Sequence, residues 1–126
     1  MSWVRAGNQQ DNAELSATKV VIGENRYGRP VEGLVVGPLA SGEWVAYVNR
    51  CRHQPLPLDS RPGEALIDAD RQELICAAHG ARYRMRDGVC TAGPCPGEAL
   101  VPLRLERRGN EVWVEPPTDA VLQSLR

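Results

Sequence analysis

Two short pieces, Cys51-Arg52-His53 and Cys76-Ala77-Ala78-His79, constrain this chain more than any other part of it. As a pattern they read C-x-H, twenty-two residues, then C-x-x-H. Each piece offers one thiolate and one imidazole from a tight loop, and the close spacing lets both side chains of a loop point the same way. Thiolate plus imidazole is a metal-ligand set. A zinc finger of this composition usually begins with two cysteines and ends with two histidines. Here each loop carries one of each, which suits a two-iron cluster with both cysteines on one iron and both histidines on the other.

The chain has two histidines, His53 and His79, and both fall in the pattern. A lone histidine is more often a hydrogen-bonded side chain without a metal. Two histidines, each two or three residues after a cysteine, make that reading poor. A buried apolar thiol is the ordinary state of an unused cysteine, and it describes Cys90 better than Cys51 or Cys76. A structural zinc site on the same four residues stays open on ligand chemistry alone.

The resemblance to a known family continues past these residues. His79-Gly80-Ala81-Arg82-Tyr83 is similar to the H-G-x-x-[FY] continuation of the second cluster loop of Rieske [2Fe–2S] domains. Gly93-Pro94-Cys95-Pro96 resembles their proline loop, and the Asp87-Gly88 turn lies between the two, where Rieske domains also turn. The similarity runs from about Trp44 to Val114. It implies an all-β fold: a Rieske-type antiparallel β-sandwich with a smaller cluster-binding subdomain. One [2Fe–2S] cluster is then held by Cys51, His53, Cys76 and His79, with Gly80, Tyr83 and Pro94 around it. The span from His53 to Cys76 is longer than the family's commonest spacing, and the excess is expected within Pro62 to Gln72. High-potential relatives carry a serine two positions after the second histidine, and an extra cysteine in each cluster loop. This chain has Ala81 and no spare cysteine there, so the resemblance implies a low reduction potential, slightly raised if the Tyr83 hydroxyl donates to a cysteine sulfur. The competing reading of Tyr83 is a packed ring with its hydroxyl in water.

At 126 residues the whole chain, 1–126, is expected to be one domain. The cluster-binding part covers about 50–97, with a polar N-terminal segment at 6–18 and a C-terminal tail at 115–126. Phenylalanine is absent, so valine, leucine and alanine must supply most of the core. Twelve glycines and ten prolines favour short strands joined by turns over long helices. Net charge is −1 and there is no basic tail, so nucleic acid is an unexpected partner. No stretch approaches the apolar length that spans a bilayer, and the N-terminus lacks a signal-peptide core. The expectation is a soluble, cytoplasmic protein without a membrane partner. Cys90 and Cys95 are expected as thiols, because a reducing compartment disfavours disulfides.

Strands are expected at Lys19 to Ile22, stopped by Gly23, then at Gly33 to Val36 and Trp44 to Asn49, with Trp3-Val4 adding a short edge. Leu74-Ile75 feeds Cys76. Ala81 to Met85 alternates, with Arg82 and Arg84 on one side and Ala81, Tyr83 and Met85 on the other. Leu100 to Leu105 pairs through Arg108-Gly109-Asn110 with Glu111 to Val114 as a final hairpin. Thr118 or Asp119 caps a short helix through Val121, Leu122 and Leu125. Leucines of the loop Gln54 to Asp59 are placed to shield the cluster from water. Arg52, Arg82, Arg84 and Arg86 read as a solvated face or as a docking surface for an acidic partner.

These readings point to a soluble one-electron carrier and not to an enzyme. It resembles the ferredoxins that pass electrons from a reductase to a terminal oxygenase, and no pocket for a small-molecule substrate is expected. A self-contained oxygenase needs a further iron site, usually two histidines and a carboxylate, and no histidine is left for it. A small Rieske subunit of a larger reductase, such as a nitrite reductase, is the alternative. A zinc-binding or redox-sensing module ranks lower.

Overall fold

The computed structural model describes residues 3–8, 14–50, 58, 67–76, 80–93 and 97–125. The elements run β1 (Val4–Asn8), β2 (Ser16–Glu24), β3 (Pro30–Gly37), β4 (Val45–Val48), β5 (Ile67–Asp68), β6 (Glu73–Ile75), β7 (Arg82–Arg84), β8 (Cys90–Ala92), β9 (Leu105–Arg108), β10 (Glu111–Val114) and α1 (Asp119–Ser124). They form three antiparallel sheets among the described residues, ordered β1-β10-β9, β2-β3-β4 and β5-β6-β7-β8.

The middle sheet, β2-β3-β4, organises the other two because β3 is buried on both faces. Along β3 the side chains alternate. Val31 and Val35 join Ile22, Ala46, Val48, Val112, Val114 and Leu122 in one core. Leu34 and Val36 join Tyr47, Leu74, Tyr83, Met85 and Leu100 in another. A strand covered on both sides needs a nearly continuous apolar run, and Val31-Glu32-Gly33-Leu34-Val35-Val36 is close to one. The β1-β10-β9 sheet closes the first core and the β5-β6-β7-β8 sheet closes the second. This is the expected sandwich with a smaller subdomain packed on it.

Several boundaries differ from the sequence reading. The polar segment expected at 6–18 is partly strand: Gly7 and Asn8 pair with β10 beyond a register shift at Ala6, and Ser16 to Thr18 begin β2. Edge pairing is made by backbone groups and requires no apolar pattern. Gly23 does not stop β2. The strand passes through it with a register shift between Val21 and Gly23, and Leu122 of α1 packs so closely there that a Cβ would lie 2.8 Å from its Cδ1. Leu100 to Leu105 is not one strand of the final hairpin. Its middle lies along the free edge of β4, where Val48 N–H donates to the Val101 carbonyl and Leu103 N–H to the Ala46 carbonyl, at 2.8 and 2.9 Å. Pro102 has no N–H to give, and regular pairing starts again at Leu105, where β9 meets β10. The helix forms as expected, with Thr118 as N-cap accepting from Val121 N–H at 3.4 Å. Leu122 is its buried residue, so the tail is packed on the middle sheet.

One side chain bonds the middle sheet to the third directly. The Tyr47 hydroxyl, on β4, donates to the Met85 carbonyl just beyond β7 at 2.5 Å. Tyr47 is 2% exposed, and burial, reinforced by the nearby Asp87 carboxylate, pushes its pKa up to about 12. A phenol whose pKa is raised on folding contributes stability below its ordinary value near 10, and that contribution is lost as pH rises toward 12. Chemical denaturation across this range should show stability declining. Tyr47→Phe should flatten the decline and, by leaving the Met85 carbonyl without its donor, cost about 1–3 kcal/mol at neutral pH.

Candidate metal centre

Three chain reversals come together at one end of the middle and third sheets, where β4, β6 and β8 finish. At the first, Asn49 is the fastener. It is 2% exposed, its N–H donates to the Glu32 carbonyl at 2.8 Å, and its Oδ1 accepts from Leu58 N–H at 3.0 Å. The second is closed by Cys76 N–H donating to the Ala81 carbonyl and Gly80 N–H donating to the Cys76 carbonyl, both at 2.8 Å. Gly80 takes φ +70°, a left-handed conformation that glycine adopts at little cost. The third is closed by Cys90 N–H donating to the Glu98 carbonyl at 2.7 Å. Gly93 then rests directly on the second reversal: a Cβ at Gly93 would lie 2.8 Å from the Ala81 Cα.

Of the residues singled out in the sequence, Cys76, Gly80 and Tyr83 are brought together here. Cys51, His53, His79 and Pro94 lie outside the described residues, as do Arg52 and Cys95. Cys76 is a wholly buried thiol in the core shared by Leu58, Ala81 and Tyr83. Leu58, the described leucine of the proline-rich loop, is itself core. Tyr83 is 0% exposed, which rules out a hydroxyl standing in water. Cys90 is the buried apolar thiol expected of it, donating to the Ala92 carbonyl at 3.4 Å. A buried soft sulfur donor on a loop turned by glycine, with a second glycine allowing a third loop to approach, fits the chemistry of an iron–sulfur group.

Sequence reasoning missed what holds β6 and β7 in place on their outer face. Arg82, read from the sequence as part of a solvated or docking face, is engaged within the third sheet. Its Nη1 donates to Asp68 Oδ2 at 2.9 Å and to Glu73 Oε1 at 3.1 Å, while the Thr91 hydroxyl donates to Glu73 Oε2 at 2.7 Å. One residue from each of β5, β6, β7 and β8 is thereby linked. The signal was present in Glu73-Leu74-Ile75, since a carboxylate alternating with a buried leucine needs partners on its own side. Arg84 is also occupied, through a two-point contact with Asp87 at 3.1 and 2.9 Å. The Arg82 guanidinium, with help from the Arg71 N–H, holds Asp68 below the usual carboxylate range. For Glu73 the Thr91 hydroxyl is the main cause, joined by Arg82 and opposed by burial.

Comparison with known proteins gives the class. The family model described as Rieske [2Fe-2S] domain matches residues 2–113, and the chain belongs to that family, whose cofactor is a [2Fe–2S] cluster. Its fold is that of the ferredoxin of carbazole 1,9a-dioxygenase from Nocardioides aromaticivorans IC177, at 22% identity and TM-score 0.66, covering 93% of this chain and 100% of that one. The terminal oxygenase of carbazole 1,9a-dioxygenase from Novosphingobium sp. KA1 is matched at 18% identity and TM-score 0.66, over 92% of this chain but 30% of that one. A chain from the complex of reduced oxygenase and oxidized ferredoxin in carbazole 1,9a-dioxygenase is matched at 21% identity and TM-score 0.62, over 92% and 96%. No curated protein matches the sequence. Among the described residues no helix is long and apolar enough to cross a membrane.

The lowered carboxylates fix the sign of an acid effect. Their contribution to stability is complete above the ordinary carboxylate pKa of about 4, and it is lost as pH falls through their lower folded values. Thr91→Val removes the main cause for Glu73. Urea titrations should show this variant less stable by about 1 kcal/mol at pH 7, with the gap to wild type closing below about pH 4.

Proposed function

We propose that this chain is a one-electron carrier of the ferredoxin type, working in the cytoplasm between a reductase and a terminal oxygenase. In this reading it is a single domain, with the cluster-binding part at about 50–97. The observation that carries it is the overlap with the whole of a dioxygenase ferredoxin, together with the family match over residues 2–113. A ferredoxin of this fold occurs in complex with its oxygenase, which supports a protein partner of that kind. Cys51 and Cys76 are the proposed ligands of one iron, and His53 and His79 of the other. That assignment uses both histidines of the chain and leaves none for the two-histidine, one-carboxylate iron site of an oxygenase. The chain is therefore read as an electron-transfer component and not as the enzyme.

When bound, the cluster supplies reversible one-electron chemistry within a range of about −150 to +300 mV. The residues of this chain decide where in that range it works. Two neutral imidazoles make reduction easier than two further thiolates would. Gly80 and Pro94 are the residues proposed to stand beside the ligands. Ala81 is wholly buried and has no hydroxyl with which to stabilise the reduced state. Tyr83 is the polar group nearest to offering such help, and its burial favours a hydroxyl turned toward the loops.

The first test is optical and magnetic. The purified protein should be coloured, and on reduction its EPR signal should have an average g below that of all-cysteine clusters. A colourless protein binding zinc, or iron bound with both histidines uncoordinated, overturns the reading. The second test is potentiometric. The potential should fall below about +150 mV, in the lower part of the family range. Ala81→Ser should raise it by roughly 60 mV or more, because 59 mV is tenfold for one electron and a hydrogen bond to a charged acceptor is worth at least about 1.5 kcal/mol. Tyr83→Phe should lower it.

A further inference from the structure

The strand directions give the molecule two unlike ends. β4, β6 and β8 run toward the reversals that contain Cys76 and Gly93. The turns that precede or follow them at their other ends gather at the opposite side: Leu39 to Glu43 before β4, Ala69 to Gln72 before β6, and Met85 to Gly88 after β7. Between these turns lies a cavity of about 300 Å³ lined by Leu39, Ser41, Arg71, Gln72, Arg84 and Arg86. Its walls are fastened to one another. Gln72 takes a left-handed φ of +53°, its Oε1 accepts from Ala40 N–H at 2.8 Å, its Nε2 donates to the Ala69 carbonyl at 2.9 Å, and its carbonyl accepts from Met85 N–H at 2.9 Å. One residue thus ties three turns around the cavity.

Three arginines line the cavity and no acidic residue does, while Asp87 stands beside Arg84 and Arg86 and Asp68 and Glu73 lie within electrostatic reach of Arg71. Arg84 spends two of its five donors on Asp87, and Arg71 and Arg86 make no ion pair among the described residues. The floor is apolar at Leu39, which is 8% exposed. Guanidinium groups recognise carboxylate and phosphate oxygens through paired hydrogen bonds, and the volume matches the small end of ligand sites.

We propose that this cavity binds a small organic oxyanion. Its carboxylate or phosphate group faces Arg71, Arg84 and Arg86, and its apolar remainder lies over Leu39. The site is separate from the metal centre and takes no part in electron transfer. Its volume of about 300 Å³ favours a small molecule over an acidic segment of a protein.

Titration calorimetry on the purified protein in moderate salt tests this with phenyl phosphate, benzoate, inorganic phosphate and a glutamate-rich peptide as probes. Phenyl phosphate or benzoate should bind saturably at one site, and the phenyl ester more tightly than inorganic phosphate. The double variant Arg71→Ala/Arg86→Ala should weaken binding by about tenfold or more, with its visible spectrum and thermal midpoint close to wild type. Arg71→Lys/Arg86→Lys should restore it only in part, because a lysine cannot pair two oxygens at once. Absence of saturable binding, binding undiminished in the alanine variant, or binding of the peptide alone overturns the proposal.

Discussion

The hydrogen bond from Cys76 N–H to the Ala81 carbonyl is the constraint on which the metal-centre end depends. It closes the reversal between β6 and β7 and so fixes their pairing, Ile75 with Arg82, Leu74 with Tyr83 and Glu73 with Arg84. A slip of β6 by one residue would turn Leu74 to the outside and Glu73 into the core. With the register set, Ala81 presents a flat backbone surface on which Gly93 can lie, and the third reversal reaches the second. Asn49 performs the matching task for the first. Its buried amide accepts from Leu58 N–H and so gives that backbone donor a partner.

The middle sheet makes this closure possible. Because β3 is covered on both faces, the third sheet is not a separate lobe but one wall of a shared core, pinned by Tyr47 to Met85. Leu58, Cys76, Ala81 and Tyr83 belong to the same apolar cluster as Leu34 and Val36. The thiol of Cys76 is therefore positioned by the packing of the whole subdomain, not by its own loop alone. Held in this way, Cys76, proposed above as a ligand, would lose little freedom on binding a cluster.

Much of this was legible in the chain. The alternation Ala81-Arg82-Tyr83-Arg84-Met85 separated the two faces correctly: Ala81, Tyr83 and Met85, placed together on one side, are all wholly buried. The Asp87-Gly88 turn, the last hairpin turn and the Thr118 cap each have local chemistry that leaves few alternatives. What was not legible depends on partners distant in sequence. β1 and the start of β2 are edges whose polar residues are paired through backbone atoms to β10 and β3. The run from Leu100 to Leu105 has one uniform pattern but serves two sheets, and only Pro102 hints at the division. The role of Arg82 was hidden because its partners Asp68, Glu73 and Thr91 lie on three other strands.

The arginines show why composition does not locate charge. Four of them cluster in sequence around the two ligand loops, yet the two described as following the second loop most closely, Arg82 and Arg84, are paired with carboxylates of the same chain. A paired guanidinium adds little to the field a partner meets. Arg82 is the nearer to the Cys76 reversal, and it is also the one most fully neutralised, with two carboxylates on a single guanidinium nitrogen. Arg71 and Arg86, without such partners among the described residues, lie at the other end of the same short strands. Among the described residues, the arginines of the third sheet without an ion pair therefore stand away from the Cys76 reversal.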